Sequence, residues 1–175
     1  KYLPNWADTD FLSNKKIDII PNIPEGFNVM FAGNIGEAQD FENILKAAEA
    51  LRDCKRIKFI ILGDGRKKVW VENYCKTNNL EDTVICLGRF PIETMSSFFE
   101  KADIMLLTLK DEPTFNMTLP AKAQSYMMSG RPIVGMVNGE GKRLINEANC
   151  GLCVDAGDYL ALSECIKSLS EMNSI

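Results

Sequence analysis

Six times along this chain a short, almost wholly apolar run is followed by a longer stretch whose apolar residues recur at helical spacing. The runs are Phe27–Ala32, Ile57–Leu62, Val84–Leu87, Ile104–Leu107, Ile133–Met136 and Cys150–Val154. The helical faces are Phe41, Ile44, Leu45, Ala48 and Leu51; Val71, Tyr74 and Cys75 within Lys67–Asn78; Met95, Phe98, Phe99 and Ala102; a short helix opening at Pro120; Glu140–Ala148; and Leu162, Cys165, Ile166 and Leu169. Runs without polar alternation fit strands covered on both faces. The alternation therefore predicts an α/β fold, a doubly wound parallel sheet with right-handed crossovers. At 175 residues the chain suits one such core and is too short for two. Residues 1–26, rich in Pro and Asn, read as a hinge segment leading into a folded domain over 27–175.

Composition excludes several classes. The formal charge is −4 with no basic run, which argues against nucleic acid as a partner. No apolar run is long enough to span a bilayer, and no secretory leader is evident. The chain begins at Lys1 and reads as a piece of a longer protein. It has no histidine, which removes His-based triads, metal sites and general bases. Six cysteines are scattered, and Cys150-Gly-Leu-Cys153 is a lone C-x-x-C whose thiols would point to opposite faces of a strand. With no second pair, the expectation is reduced thiols in a cytoplasmic protein and no metal or other cofactor.

Ligands of open parallel sheets bind beyond the carboxyl ends of the strands. The loops there are Gly33–Gln39, Gly63–Lys67, Gly88–Pro91, Leu109–Leu119 and Val137–Gly141. Gly33-Asn34-Ile35-Gly36 lacks the third glycine of a dinucleotide fingerprint; it reads either as a phosphate-approaching loop or as a tight turn. Gly63-Asp64-Gly65-Arg66 offers Asp64 for a hydroxyl and Arg66 for an anion, or is an ordinary Asp-Gly turn. Phe90 beside Arg89 either faces a base or sugar, or staples the next helix. From Thr118 to Gly135 the chain reads as a loop, a helix with Pro120 in its first turn and Thr118 as a capping oxygen, a stop at Gly130 and a strand. Such a helix start near Ala121, with Lys122 adding a full charge, either binds an anion or simply packs on the sheet.

Five segments together, P-N-W-A-D at Pro4–Asp8, F-A-G-N-I-G-E-A-Q at Phe31–Gln39, L-G-D-G-R at Leu62–Arg66, A-D-I-M-L-L at Ala102–Leu107 and L-P-A-K-A-Q-S-Y-M-M-S-G-R-P-I-V at Leu119–Val134, resemble group 1 (family 4) glycosyltransferases in order and spacing. The wording is most similar to bacterial L-fucosamine and colanic-acid transferases, which build O-antigen or capsule. The resemblance implies a Rossmann-like domain that is one half of a GT-B fold, namely the C-terminal half that binds the nucleotide-sugar donor, taken here as a UDP-sugar. It implies retaining transfer without a metal, and a lipid-linked saccharide acceptor bound by an N-terminal domain outside this chain. The full enzyme would then sit peripherally at the inner face of the plasma membrane, and this piece alone would catalyse nothing.

By the same resemblance, Gly33, Asn34, Gly36, Gln39, Arg66, Thr118, Pro120, Ala121 and Lys122 would serve the donor phosphates. Gly63, Asp64, Gly65, Arg89, Phe90, Gln124 and Ser125 would serve the base and ribose. The family's loop arginine and lysine fall on Asn34 and Gln39, and its two glutamates on Met117 and Ser125. Lys122 would restore part of the lost positive charge, while Gln39, Gln124 and Ser125 could still bond hydroxyls. The alternatives are an NAD- or nucleotide-binding Rossmann module of another class: a dehydrogenase, a UDP-sugar epimerase or a non-catalytic domain.

Overall fold

A computed structural model describes residues 20–172. The P-N-W-A-D segment and most of the expected hinge lie outside the described residues; of the remainder, Ile20 and Ile23 pack against the core. Six strands form one sheet: β1 (Phe27–Ala32), β2 (Ile57–Leu62), β3 (Val84–Gly88), β4 (Ile104–Thr108), β5 (Ile133–Met136) and β6 (Gly151–Val154). All neighbours run parallel, in the order β3-β2-β1-β4-β5-β6. That is the doubly wound order whose direction reverses between β1 and β4.

Side chains alternate along each strand, so one strand feeds two cores. Phe27, Val29 and Phe31 face the helices α1 (Phe41–Ala50), α2 (Lys68–Thr77) and α7 (Tyr159–Met172). Met30 and Ala32 face α3 (Met95–Phe99), α5 (Lys122–Met128) and α6 (Gly139–Glu147). The expected elements are therefore present; the inner strands β1, β2, β4 and β5 are buried on both sides, while the edge strands β3 and β6 are partly exposed, with Leu152 51% exposed. Among the described residues, no helix is long and apolar enough to cross a membrane.

Several local expectations are corrected. Leu109–Leu119 is not a plain loop, because Pro113–Asn116 forms the short helix α4 with Pro113 in its first turn. Helix α5 starts at Lys122, two residues after Pro120. Thr118 does not cap it: its hydroxyl donates back to the Thr114 carbonyl at 2.6 Å, and no side chain caps α5. Cys150 lies before β6 rather than within it, so the alternation of a strand does not apply between it and Cys153. Both thiols pack against the same core.

The sheet opens where its order reverses. β1 pairs with β2 over all six residues but with β4 only at Val29 and Met30. Ala32, at the end of β1, meets a side chain instead of a strand. The Tyr126 hydroxyl accepts from the Ala32 N–H and donates to the Ala32 carbonyl, each at 2.9 Å. Tyr126 is 1% exposed, so these bonds lie in a dry interior. One phenol thus ties α5 to the β1 terminus and ends the sheet at the crevice.

Candidate functional site

On the β2 side of that crevice the loops stay zipped after the strands end. The Gly33 N–H donates to Leu62 O, Ile35 N–H to Asp64 O and Gly63 N–H to Gly88 O, at 2.8–2.9 Å. Gly63 has φ +141°, and a Cβ there would lie 1.8 Å from the Gly33 carbonyl oxygen. Only glycine permits this approach of two backbones. The close packing of the first two loops leaves room above the strand ends.

That room is a cleft of about 950 Å³. Its walls come from the ends and loops of β1, β2 and β3, and from α3 and α5. Of the residues predicted from sequence, it brings together Gly33, Asn34, Gly63, Asp64, Arg89, Phe90, Lys122 and Ser125. It does not bring in the other eight. Gly36 is buried next to the Asn34 and Gln39 side chains. Gln39 is tied through its carbonyl to the Thr108 hydroxyl at 2.6 Å, with its side-chain Oε1 buried and unbonded. Gly65 backs onto the Ile35 carbonyl. Arg66, Thr118 and Ala121 are exposed away from the cleft, Pro120 is buried toward α6, and Gln124 lies outside the lining. The loops after β4 and β5 do not line it either: Gly139 packs against the α4 backbone at Asn116, so these two loops close on each other.

Sequence reasoning missed Ile92, Glu93, Met95 and Phe99 as lining residues. Met95 and Phe99 carried a signal, since they mark the α3 face, but helical periodicity does not separate a core wall from a cleft wall. Phe90 has two neighbours of interest. It lines the cleft, and its ring lies 4.7 Å from that of Phe98. The Asp64 carboxylate accepts from the Gly65 N–H at 2.8 Å, and the turn itself falls one step later, at Arg66 and Lys67.

Lys122 departs most from expectation. Its sequence position implies a solvated, fully charged side chain, but the structure buries its terminal nitrogen while leaving the residue partly exposed. The ammonium nitrogen lies 4.0 Å from the centre of the Phe31 ring. Among the described residues it makes no hydrogen bond, and no carboxylate pairs with it. Burial alone pushes its pKa down to about 7. Gly33 accommodates it: a Cβ at that position would sit 3.2 Å from Lys122 Nζ. Lys122 therefore brings to the cleft wall a buried amine whose donor capacity no described residue uses, beside the exposed Arg89.

Among the described residues, no cluster of His, Cys, Asp or Glu is grouped to hold a metal. The charged side chains lining the cleft are Asp64, Arg89, Glu93 and Lys122, and no two of them form an ion pair. The arrangement suits an elongated polar ligand with an anionic portion near Gly33 and Lys122, and a flatter portion near Arg89 and Phe90.

A probable glycosyltransferase of Pseudomonas aeruginosa, WbjE, is 29% identical over 187 residues, covering 98% of this chain and 44% of the relative. The putative colanic acid biosynthesis glycosyl transferase WcaI of Escherichia coli K12 is 26% identical, covering 74% of this chain and 33% of the relative. The chain thus spans less than half the length of these curated relatives. Among solved structures, the pneumococcal O-GlcNAc transferase GtfA, in complex with UDP and GlcNAc, superposes with a TM-score of 0.69 at 17% identity. That superposition covers 84% of this chain and 29% of GtfA, a likeness of fold. The family Glycosyl transferases group 1 matches residues 26–172, which is most of the chain and all of the sheet. The chain belongs to the group 1 glycosyl transferase family.

Proposed function

We propose that this chain is the donor-binding, C-terminal half of a GT-B glycosyltransferase that uses a nucleotide-sugar, specifically a UDP-sugar, in bacterial O-antigen, capsule or exopolysaccharide synthesis. The observation that carries the reading is the cleft at the ends of β1–β3, with Lys122 of α5 in its lining and that residue's buried, unbonded Nζ set against Gly33. Family membership, the WcaI likeness and the UDP in the GtfA structure support the same class of ligand.

In this reading the diphosphate lies over Gly33 and Asn34 beside Lys122, and the base and ribose lie toward Arg89 and Phe90. Ser125 supplies a hydroxyl where the family carries a glutamate. The chemical part played by this half is electrostatic: a cation fixed in a poorly solvated wall stabilises charge developing on a leaving diphosphate. No proton transfer by this half is needed. Acceptor binding, and any base acting on a lipid-linked saccharide, belong to the other domain. Transfer is retaining and needs no metal, and the full protein works in the cytoplasm at the inner face of the membrane.

A thermal-shift panel tests the ligand class. UDP and UDP-sugars are expected to raise the melting temperature, through binding to the folded state alone, while NAD is not. Stabilisation by NAD and by no UDP ligand refutes the reading. Full-length protein assayed with UDP-sugars and a lipid-linked acceptor, with and without EDTA, tests transfer and the absence of a metal requirement.

A further inference from the structure

Lys122 is placed in an unusual way for a phosphate-binding group. An exposed lysine is charged before its ligand arrives. This one is enclosed by Phe31, Gly33 and the body of α5, with its nitrogen over an aromatic face and no oxygen to bond. The charged and titratable groups around it are few. The β2 loop brings Asp64, the β3 loop Arg89 and Glu93, and none of these pairs with Lys122. The β1 loop brings Glu37, which is held by Lys67 at 3.1 Å and Lys110 at 3.2 Å. On its own helix only Tyr126 titrates, and that hydroxyl is occupied by Ala32. Nothing among the described residues balances a charge on Lys122.

We propose that Lys122 is charged by its ligand: an anionic diphosphate entering the cleft supplies the missing countercharge, and Lys122 takes a proton from solvent as the ligand binds. This deepens the donor-binding reading and rests on it. The balance is simple, since a neutral amine plus one proton from buffer becomes an ammonium ion bonded to a phosphate oxygen. The consequence is regulation of that site by pH. The empty site rests near its midpoint at about pH 7, whereas a phosphate-bound ammonium keeps its proton well above that. Donor affinity therefore falls as pH rises through the interval between the two states, approaching tenfold per pH unit.

The test is calorimetry of the chain with UDP at about pH 8, two units above the second ionisation of a phosphate near 6. Running it in two buffers of different ionisation enthalpy counts the protons exchanged. Wild-type protein is expected to take up roughly 0.9 proton per UDP at that pH, and Lys122→Met close to none. Binding without proton uptake, or with affinity flat from about pH 7 to 9, overturns the proposal while leaving the donor reading intact. Uptake that persists in Lys122→Met also overturns it, because the proton then belongs to another group. No UDP binding at any pH overturns the donor reading, and the proposal with it. The wild-type proton count and pH slope need no variant, so a folding defect in Lys122→Met does not decide the outcome.

Discussion

Replacing Tyr126 with Phe removes a single oxygen from a fully buried site. In the wild type that oxygen accepts from the Ala32 N–H and donates to the Ala32 carbonyl, both at 2.9 Å. Neither group has a neighbouring strand to turn to, since β4 leaves β1 after Met30. Water does not reach them, because Ala32 is 8% exposed and Tyr126 1%. The variant therefore orphans one buried donor and one buried acceptor. Each costs about 1–3 kcal/mol, and some relaxation is expected, so the net loss is about 2–4 kcal/mol. Against a total stability of roughly 5–15 kcal/mol this is a large fraction. For a chain of this length it lowers Tm by on the order of 5–15 °C. Urea unfolding with an unchanged m-value gives the free energy, and hydrogen exchange of the Ala32 amide gives the local effect. A loss under about 0.5 kcal/mol, the range of ordinary surface changes, refutes the argument that this phenol substitutes for a strand. Because burial holds the Tyr126 hydroxyl well above the ordinary tyrosine range, the wild-type latch is expected to persist in alkali.

Three further outcomes are expected. A lysine whose folded pKa is depressed binds fewer protons folded than unfolded between about pH 7 and its unfolded value near 10.4, so Lys122 makes stability rise with pH across that window. Lys122→Met should flatten that rise in urea titrations and be more stable than wild type at about pH 6 by a few kcal/mol, less whatever the Phe31 contact contributes; lower stability than wild type at that pH counts against the burial argument. Gly63→Ala places a methyl group against the Gly33 carbonyl at a backbone conformation that L-residues avoid; it should cost about 2 kcal/mol or more and lose the thermal shift with UDP. Thr108→Val leaves the Gln39 carbonyl without its 2.6 Å bond and should cost about 1–2 kcal/mol by chemical unfolding, with faster exchange across the β1 loop.

The site was only partly legible in the sequence. Gly33, Gly63 and Arg89 follow strand ends, and strand ends are legible because an apolar run that stops at glycine is a local pattern. Thr118 was misjudged as a cap because a local pattern does not say where a side chain turns. It bonds backward to Thr114, while Arg66, read as an anion contact, faces solvent. Glu93 and Ile92 had no pattern at all, since they enter the cleft on a single 3-10 turn, Ile92–Thr94, too short to show a period. The two outer loops, expected at the site, do not line this cleft. Gly139 lets the β5 loop close on α4, a contact between segments more than twenty residues apart in sequence.

By itself the sequence determined the period of every strand and most helices, and with it a parallel sheet covered on both faces. That information is local, because each strand and helix declares its buried face through its own spacing. The tertiary structure alone decided that β4 parts from β1 at Met30, that one tyrosine hydroxyl replaces the missing strand, and that Lys122 is enclosed rather than solvated. These depend on what distant segments place around a group. Burial, the cost of an unpaired polar atom and the proton affinity of an amine are properties of that surrounding volume, and a position in the chain does not contain them.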